Sequence, residues 1–147
     1  MAAIWVRSAA SLVAFLFSTS PGSADIIDVV RTWNLLGTWA TNCAKPPAPD
    51  NTYATYALRN EAVFLDRDVG SNRDSLAIVD ASALPGGAIS IVIDFGKAGT
   101  RTNVLVKDGS DRMRAMANHD SKGQFSVRDG MVLSLKRPTP WQQRCAP

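Results

Sequence analysis

The residue types that usually bind metals or carry out catalysis are scarce in this chain of 147 residues. It has one histidine, His119, and two cysteines, Cys43 and Cys145. Because structural zinc sites use four such ligands, these side chains predict no zinc cluster. The aspartates of Asp66–Asp68 and Asp108–Asp111 lack the spacing of a calcium-binding loop, and turn aspartates usually stabilise the turn itself. We therefore expect no metal and no other cofactor.

Catalytic motifs are also missing from the sequence. His119 would need a serine nucleophile and an orienting carboxylate beside it in space, and the chain contains no Gly-x-Ser-x-Gly segment that would expose such a serine. The glycine-rich pieces, Gly86–Gly87 and Gly96–Gly99, lie between predicted strands. No helix N-terminus follows them to bind a phosphate group. The sequence predicts that the protein is not an enzyme, with His119 in an exposed turn.

The first residues have the layout of a secretory signal peptide. They contain one positive charge at Arg7, an apolar run over Ala9–Phe17, and small residues at Gly22–Ala24. The apolar run is shorter than the ~20 residues of a membrane span, and no cysteine follows the expected cleavage site to carry a lipid. We therefore expect a signal peptide at residues 1–24, one mature domain at residues 25–147, a secreted or periplasmic location, and no stable membrane anchor.

Export has a consequence for the two cysteines, because secreted and periplasmic proteins fold in an oxidising compartment. We expect a disulfide between Cys43 and Cys145. A bridge that closes a loop of roughly 100 residues stabilises a protein by up to about 4.7 kcal/mol in the chain-entropy description. The alternative is a pair of separate buried thiols.

The charge pattern argues against nucleic acid as a partner. The formal net charge is +3, but arginines alternate with aspartates, as in Asp66–Asp68 and Asp111–Arg114. Such mixed charges are typical of an ordinary soluble surface. No basic run with interleaved aromatic residues occurs, and a nucleic-acid-binding surface would contain one.

The mature chain begins with a helical pattern and then changes to strands. Asp25 can cap a helix that ends before Gly37, and a loop over Ala44–Asn51 follows because its three prolines remove backbone donors. The helix is predicted from apolar residues at helical spacing, namely Ile26, Val29, Val30, Trp33 and Leu36.

Beyond Asn51, turn residues divide the chain into short alternating segments. The clearest strand is Ala88–Phe95, in which every second residue is a large apolar one, and Asp129–Gly130 favours a type I′ hairpin turn. Other strands are predicted at residues 52–58, 62–69, 75–83, 101–107, 112–118, 124–128 and 131–137.

This succession predicts an all-β fold, an antiparallel up-and-down meander that forms either a barrel or a sandwich. We favour a β-barrel of about eight to ten strands with one short N-terminal helix, because closure removes exposed edges. Strands that alternate in direction bring the tail, Trp141–Cys145, antiparallel to the strand that contains Trp39. The tail is therefore expected to pair beside that first strand.

The order of a short helix, a first strand opening with Gly37-Thr38-Trp39, a long loop and a meander resembles the lipocalins and the wider calycin superfamily. That resemblance implies an up-and-down barrel whose interior binds small apolar ligands. It also implies that Trp39 packs at the closed end beneath a C-terminal arginine, either Arg137 or Arg144. The same opening occurs in avidin-like barrels and in small periplasmic protease inhibitors of bacteria.

Two functions of different class follow from these features. The first is binding of a small apolar ligand in the barrel interior, unless side chains fill that interior completely. The second is binding of an exported protein, as a protease or lysozyme inhibitor does, through the helix or the Ala44–Asn51 loop. The sequence indicates no oligomeric state. The side chains expected to face the interior and contact the ligand are Tyr56, Ile91, Ile93, Phe95, Met113 and Leu133.

Overall fold

One α-helix and eleven strands, with two short 3-10 helices at Pro85–Gly87 and Gly96–Ala98, form the secondary structure of residues 23–146, the part of the chain that the computed structural model describes. The predicted signal peptide lies outside these residues except for Ser23 and Ala24. The elements are α1 (Ser23–Thr32), β1 (Gly37–Ala40), β2 (Tyr53–Arg59), β3 (Ala62–Asp68), β4 (Arg73–Ala83), β5 (Ile89–Asp94), β6 (Thr100–Lys107), β7 (Met113–Asp120), β8 (Phe125–Arg128), β9 (Met131–Val132), β10 (Arg137–Pro138) and β11 (Gln143–Arg144).

The helix buries the apolar face that the sequence pattern indicates. Ile26 and Val30 are buried against β3 and β4. The helix ends earlier than predicted, at Thr32, because Asn34 adopts a left-handed conformation with φ of 55°, which commonly terminates helices. Gly37 is not the terminator; it is the first residue of β1.

The strands form one continuous antiparallel meander that curls into a half-barrel. Each strand from β1 to β10 pairs with the next along the chain, so the predicted all-β meander is confirmed. A sandwich would need two packed sheets, whereas all eleven strands belong to one sheet. The sandwich alternative is therefore excluded. Three of the eleven strands, β9, β10 and β11, are only two residues long.

The C-terminal tail pairs with the first strand, as the alternation of strand directions predicts. β11 runs antiparallel to β1, with Arg144 opposite Trp39. Gln142, the residue directly before β11, exchanges backbone hydrogen bonds of 2.9 and 2.8 Å with Met113 at the start of β7. The tail thus bridges β1 and β7. The expected disulfide joins Cys43 to Cys145 beside this seam.

The predicted strand at residues 131–137 is wrong as a single element. The chain reverses direction between Val132 and Arg137, in a turn that includes Lys136 with a φ of 49°. β10 then pairs antiparallel with β9. Two short strands therefore replace one long one. The preceding turn is confirmed, because Asp129 and Gly130 have φ of 51° and 72°, and type I′ turns require positive φ at both positions.

The two ends of the half-barrel differ in how they are filled. At the end covered by α1, large apolar side chains are fully buried, and we call this the closed end; its residues include Val30, Leu35, Trp39, Ile89 and Met113. At the opposite end lie the C-terminal ends of β3, β5 and β7 and the N-terminal ends of β2, β4 and β6. The polar side chains described below are at that open end.

Candidate functional site

The closed end is organised around Trp39. Its indole N–H donates to the carbonyl of Leu35 at 2.8 Å, and the guanidinium of Arg144 lies 4.3 Å from its ring centroid. Arg144 also donates to the carbonyls of Leu36 and Asn34. Of the two arginines suggested by the resemblance, Arg144 is the one over Trp39, whereas Arg137 is exposed in β10.

The interior is hollow at the open end. A cavity of about 520 Å³ lies at the mouth, and a second cavity of about 220 Å³ extends from it along the tail. We call the two together the interior cup. Five residues line both cavities, which makes them neighbouring parts of one space: Thr52, Leu65, Arg67, Asn103 and Ala115.

Strand alternation explains most of the cup's lining. On β3, Leu65 and Arg67 lie on the face of the buried Val63, since side chains two positions apart share a face. On β6, Asn103 and Arg101 pair with Ile91 and Ile93 of β5. Both isoleucines point inward, and directly paired residues share a face. Arg101 and Asn103 therefore point into the cup.

A β-bulge places one further side chain in the cup. The pairing of β6 with β7 shifts between Val104 and Leu105, so that Met116 is the extra residue on β7. The bulge reverses the alternation beyond it. As a result Ala115 and Asn118 both line the cup, although their odd separation would put them on opposite faces of a regular strand.

These polar side chains form a hydrogen-bonded network. Arg101 donates to Oδ1 of Asn118 at 3.2 Å, and the Ser126 hydroxyl donates to the same oxygen at 2.6 Å. Nδ2 of Asn118 donates to Oδ1 of Asn103. The network fixes the rotamers of the cup's polar wall before any ligand arrives.

An ion pair, Arg67 with Asp74, lies at a partly exposed edge of the cup. Arg67 donates to both carboxylate oxygens of Asp74, at 2.9 and 2.5 Å, and its guanidinium lies 5.1 Å from the ring centroid of Phe95. The hydrogen bond from Arg67 lowers the pKa of Asp74. Asp74 is therefore ionised at neutral pH and balances the charge of Arg67.

Arg101 has no such partner. Among residues 23–146, no carboxylate oxygen lies within 4.0 Å of its guanidinium. Asp120 is opposite Arg101 in the β6–β7 pairing. Its carboxylate instead accepts the backbone N–H groups of Lys122 and Gln124, both at 2.9 Å, and the bond from Gln124 is the main reason that its pKa is lowered.

The predicted ligand contacts fall into three groups. Tyr56, Ile93 and Phe95 line the cup. Ile91 and Met113 are fully buried in the packed core. Leu133 does not face the interior, because the chain turns after Val132 and leaves Leu133 45% exposed.

Sequence reasoning missed the polar lining of the cup. Alternation could have found three of these residues, because they share a face with apolar residues that point inward. Arg67 is two positions from Leu65, and Arg101 and Asn103 lie opposite Ile93 and Ile91. Asn118 had no such signal, because the bulge at Met116 is not visible in the residue pattern.

Comparisons with protein-family models, with curated proteins and with solved structures find no match to this chain. Within the described part of the chain, no three or more histidine, cysteine or acidic side chains gather where they could hold a metal ion. None of the helices in residues 23–146 has the length and apolar character that crossing a membrane requires.

The proline-rich loop is held firmly against the barrel wall. The amide of Asn51, which is 6% exposed, accepts the backbone N–H of Asn42 at 2.9 Å and donates to its carbonyl at 3.0 Å. The Tyr53 hydroxyl is 2.7 Å from the carbonyl of Lys45 and 3.0 Å from that of Cys43. These bonds leave the side chains of Ala44–Pro46 exposed on a fixed backbone.

A broader depression of about 650 Å³ involves the polar face of β1–β4. Its charges are already paired: Arg59 binds Asp66 through two bonds of 2.8 Å, and Arg73 lies 2.6 Å from Asp68. Ion pairs this exposed add little to stability. Because their charges are paired with each other, they leave no charge for a ligand. The interior cup is therefore the better candidate site.

Proposed function

We propose that this protein is an exported calycin-like barrel that binds a small molecule with a substantial apolar part in the interior cup. The observation that carries the proposal is the cavity of about 520 Å³ at the open end. Sites for small organic ligands are typically about 300–1,000 Å³ and combine apolar walls with a few fixed polar groups. The cup has both, with Leu65, Ile93 and Phe95 beside the asparagine network.

The distribution of packing supports a binding role. Side chains fill the closed end completely, with Trp39 and Met113 at 0% exposure. The larger cavity of the cup lies at the opposite end. A stable core and a ligand cavity therefore coexist in one small barrel, and the fold does not depend on the side chains around the cup for most of its apolar burial.

Two further features support the calycin-like and exported character. Arg144 lies over Trp39, which is the arrangement that the resemblance implies for the closed end. The disulfide between Cys43 and Cys145 suits a secreted or periplasmic location. The proposal assigns no enzymatic activity and no cofactor.

Dye binding tests the proposal. We expect the neutral apolar dye N-phenylnaphthylamine to bind with enhanced fluorescence, and the variant Ala115→Phe to lose this binding because Ala115 lines both cavities. The matched control is Ala57→Phe on β2, whose side chain is on the face opposite to the buried Ala54 and Tyr56. Absence of binding, or equal binding by both variants, would overturn the proposal. Thermal unfolding of each variant confirms that it is folded.

A second function, binding of an exported protein, is favoured by the fixed loop at Ala44–Pro46. The carbonyl of Lys45 points toward the Tyr53 hydroxyl, so the loop does not present the Lys45–Pro46 peptide bond outward as a substrate would. We propose that any inhibition would use exposed side chains, and that Lys45→Ala would weaken it. Assays with lysozyme and with serine and metalloproteases test this; no inhibition by the parent protein rules it out.

A further inference from the structure

Arg101 lines the cup without an ion pair to any of the described residues. Arg67 and Asp74 neutralise each other through two hydrogen bonds. Arg101 contributes a second positive charge that no carboxylate within residues 23–146 contacts. The nearest candidate by register, Asp120, is close enough for the positive charge of Arg101 to contribute to its lowered pKa, but it forms no ion pair with Arg101, and its Oδ1 accepts two backbone N–H groups of its own turn. The guanidinium of Arg101 therefore lacks a direct carboxylate partner and is available to a carboxylate of a ligand.

The polar network also leaves a donor unused. Arginine can only donate, so the Asn118 atom that it contacts must be the amide oxygen. Nδ2 of Asn118 then donates to Asn103, whose facing atom must also be oxygen. Nδ2 of Asn103 is consequently free of hydrogen bonds within the described residues, and Asn103 lines both cavities.

A third polar group lies deeper. The side chain of Tyr56 is 5% exposed and lines the smaller cavity, and its hydroxyl has no hydrogen-bond partner in residues 23–146. Burial raises the pKa of this hydroxyl, so it remains a neutral donor. The hydroxyl oxygen itself is not fully buried, so a ligand in the smaller cavity can reach it. All three free groups in the cup can donate to a ligand oxygen.

We infer that the ligand is an amphiphilic monocarboxylate whose carboxylate binds Arg101 and Asn103 at the mouth. Its apolar part lies against Leu65, Phe95 and Ala115. A guanidinium presents two parallel N–H groups that match a carboxylate, and one guanidinium without an ion pair suits a ligand with a single carboxylate. This inference rests on the function proposed above.

Competition between two ligands of equal chain length tests it. Decanoate and decanol differ only in the head group, and each is titrated against bound N-phenylnaphthylamine near neutral pH. We expect decanoate to displace the dye at a roughly tenfold lower concentration than decanol, since a charge-assisted bond to arginine is worth about that factor. Equal displacement by both would overturn the inference while leaving the proposed function intact. Failure of the dye and of decanol to bind would overturn both.

Variants locate the carboxylate. We expect Arg101→Gln to remove the roughly tenfold preference for decanoate over decanol, with both ligands titrated against the same variant. Arg31→Gln, on the exposed side of α1, makes the same change in net charge far from the cup and should leave the preference intact. If Arg31→Gln reduced it equally, general electrostatic attraction would explain the preference and the site would be wrong. A loss in Tyr56→Phe but not in Arg101→Gln would likewise overturn the assignment to Arg101.

Discussion

At the closed end, Gly37 and Arg144 share a space that only a residue without a side chain leaves free. A Cβ built on Gly37 would lie 2.7 Å from a guanidinium nitrogen of Arg144, and Gly37 has a φ of 122°, which residues with a Cβ rarely adopt. The glycine two positions before Trp39 in the sequence Gly37-Thr38-Trp39 is therefore explained by packing. The glycine admits the arginine that covers the tryptophan.

The variant Gly37→Ala should therefore lower stability. We expect a loss of about 1–3 kcal/mol, the usual cost of a strained backbone conformation, together with displacement of Arg144 from Trp39. Urea denaturation followed by tryptophan fluorescence measures it. Gly109→Ala is the control, because a Cβ there meets nothing within 4 Å. Equal midpoints for the two variants would contradict this account of the closed end.

At the scale of strands, period-two alternation predicted the meander and the inward face of β5, because Ile89, Ile91 and Ile93 leave no ambiguity. Alternation failed where the chain departs from regular pairing. The bulge at Met116 brings Asn118 inward, and the turn after Val132 takes Leu133 outward. Both departures depend on contacts between strands, which a single strand's sequence does not record. The apolar core and the inward positions of Arg67, Arg101 and Asn103 were therefore predictable from alternation, whereas the inward position of Asn118 was not.

Ion pairs connect β3 to β2 and to β4, and their pH response is predictable. The hydrogen bond from Arg59 lowers the pKa of Asp66, and that from Arg67 lowers the pKa of Asp74. A carboxylate whose pKa is lower in the folded state stabilises the fold above its unfolded-state pKa, and that contribution is lost as pH falls through the folded-state value. We therefore expect the melting temperature to decrease when the pH is lowered below roughly 4.

A double variant tests the source of that fall. Asp66→Asn with Asp74→Asn should melt at a lower temperature at neutral pH and should show a weaker dependence on pH between neutral and acid conditions. Asp50→Asn, exposed in the proline-rich loop, is the control and should follow the parent. If the double variant lost stability in acid as steeply as the parent, other carboxylates would be responsible.

For the molecule as a whole, the tail is what turns an open meander into a half-barrel with a bridged wall. It contributes backbone bonds to β7 through Gln142 and to β1, where the Cys145 N–H donates to the carbonyl of Thr38 at 2.8 Å. It also supplies Arg144 over Trp39. The disulfide is thus one of several attachments along the same seam, and its loss should weaken the seam without abolishing it.

Replacing both cysteines, Cys43→Ser with Cys145→Ser, should therefore lower the free energy of unfolding by about 2–4 kcal/mol while leaving a folded protein. The Cys43 loop continues into the proline-rich segment and then Thr52 at the mouth of the cup, so dye affinity should also fall modestly. Thermal unfolding under non-reducing conditions checks the first effect, and N-phenylnaphthylamine titration the second.

Adding Arg144→Gln should lower the free energy of unfolding more in the serine variant than in the parent. Either attachment alone still holds the tail, and the effects of neighbouring contacts are not additive. A serine variant that melted no lower than the parent would show that the backbone bonds and Arg144 already hold the seam, and that the disulfide contributes nothing to it.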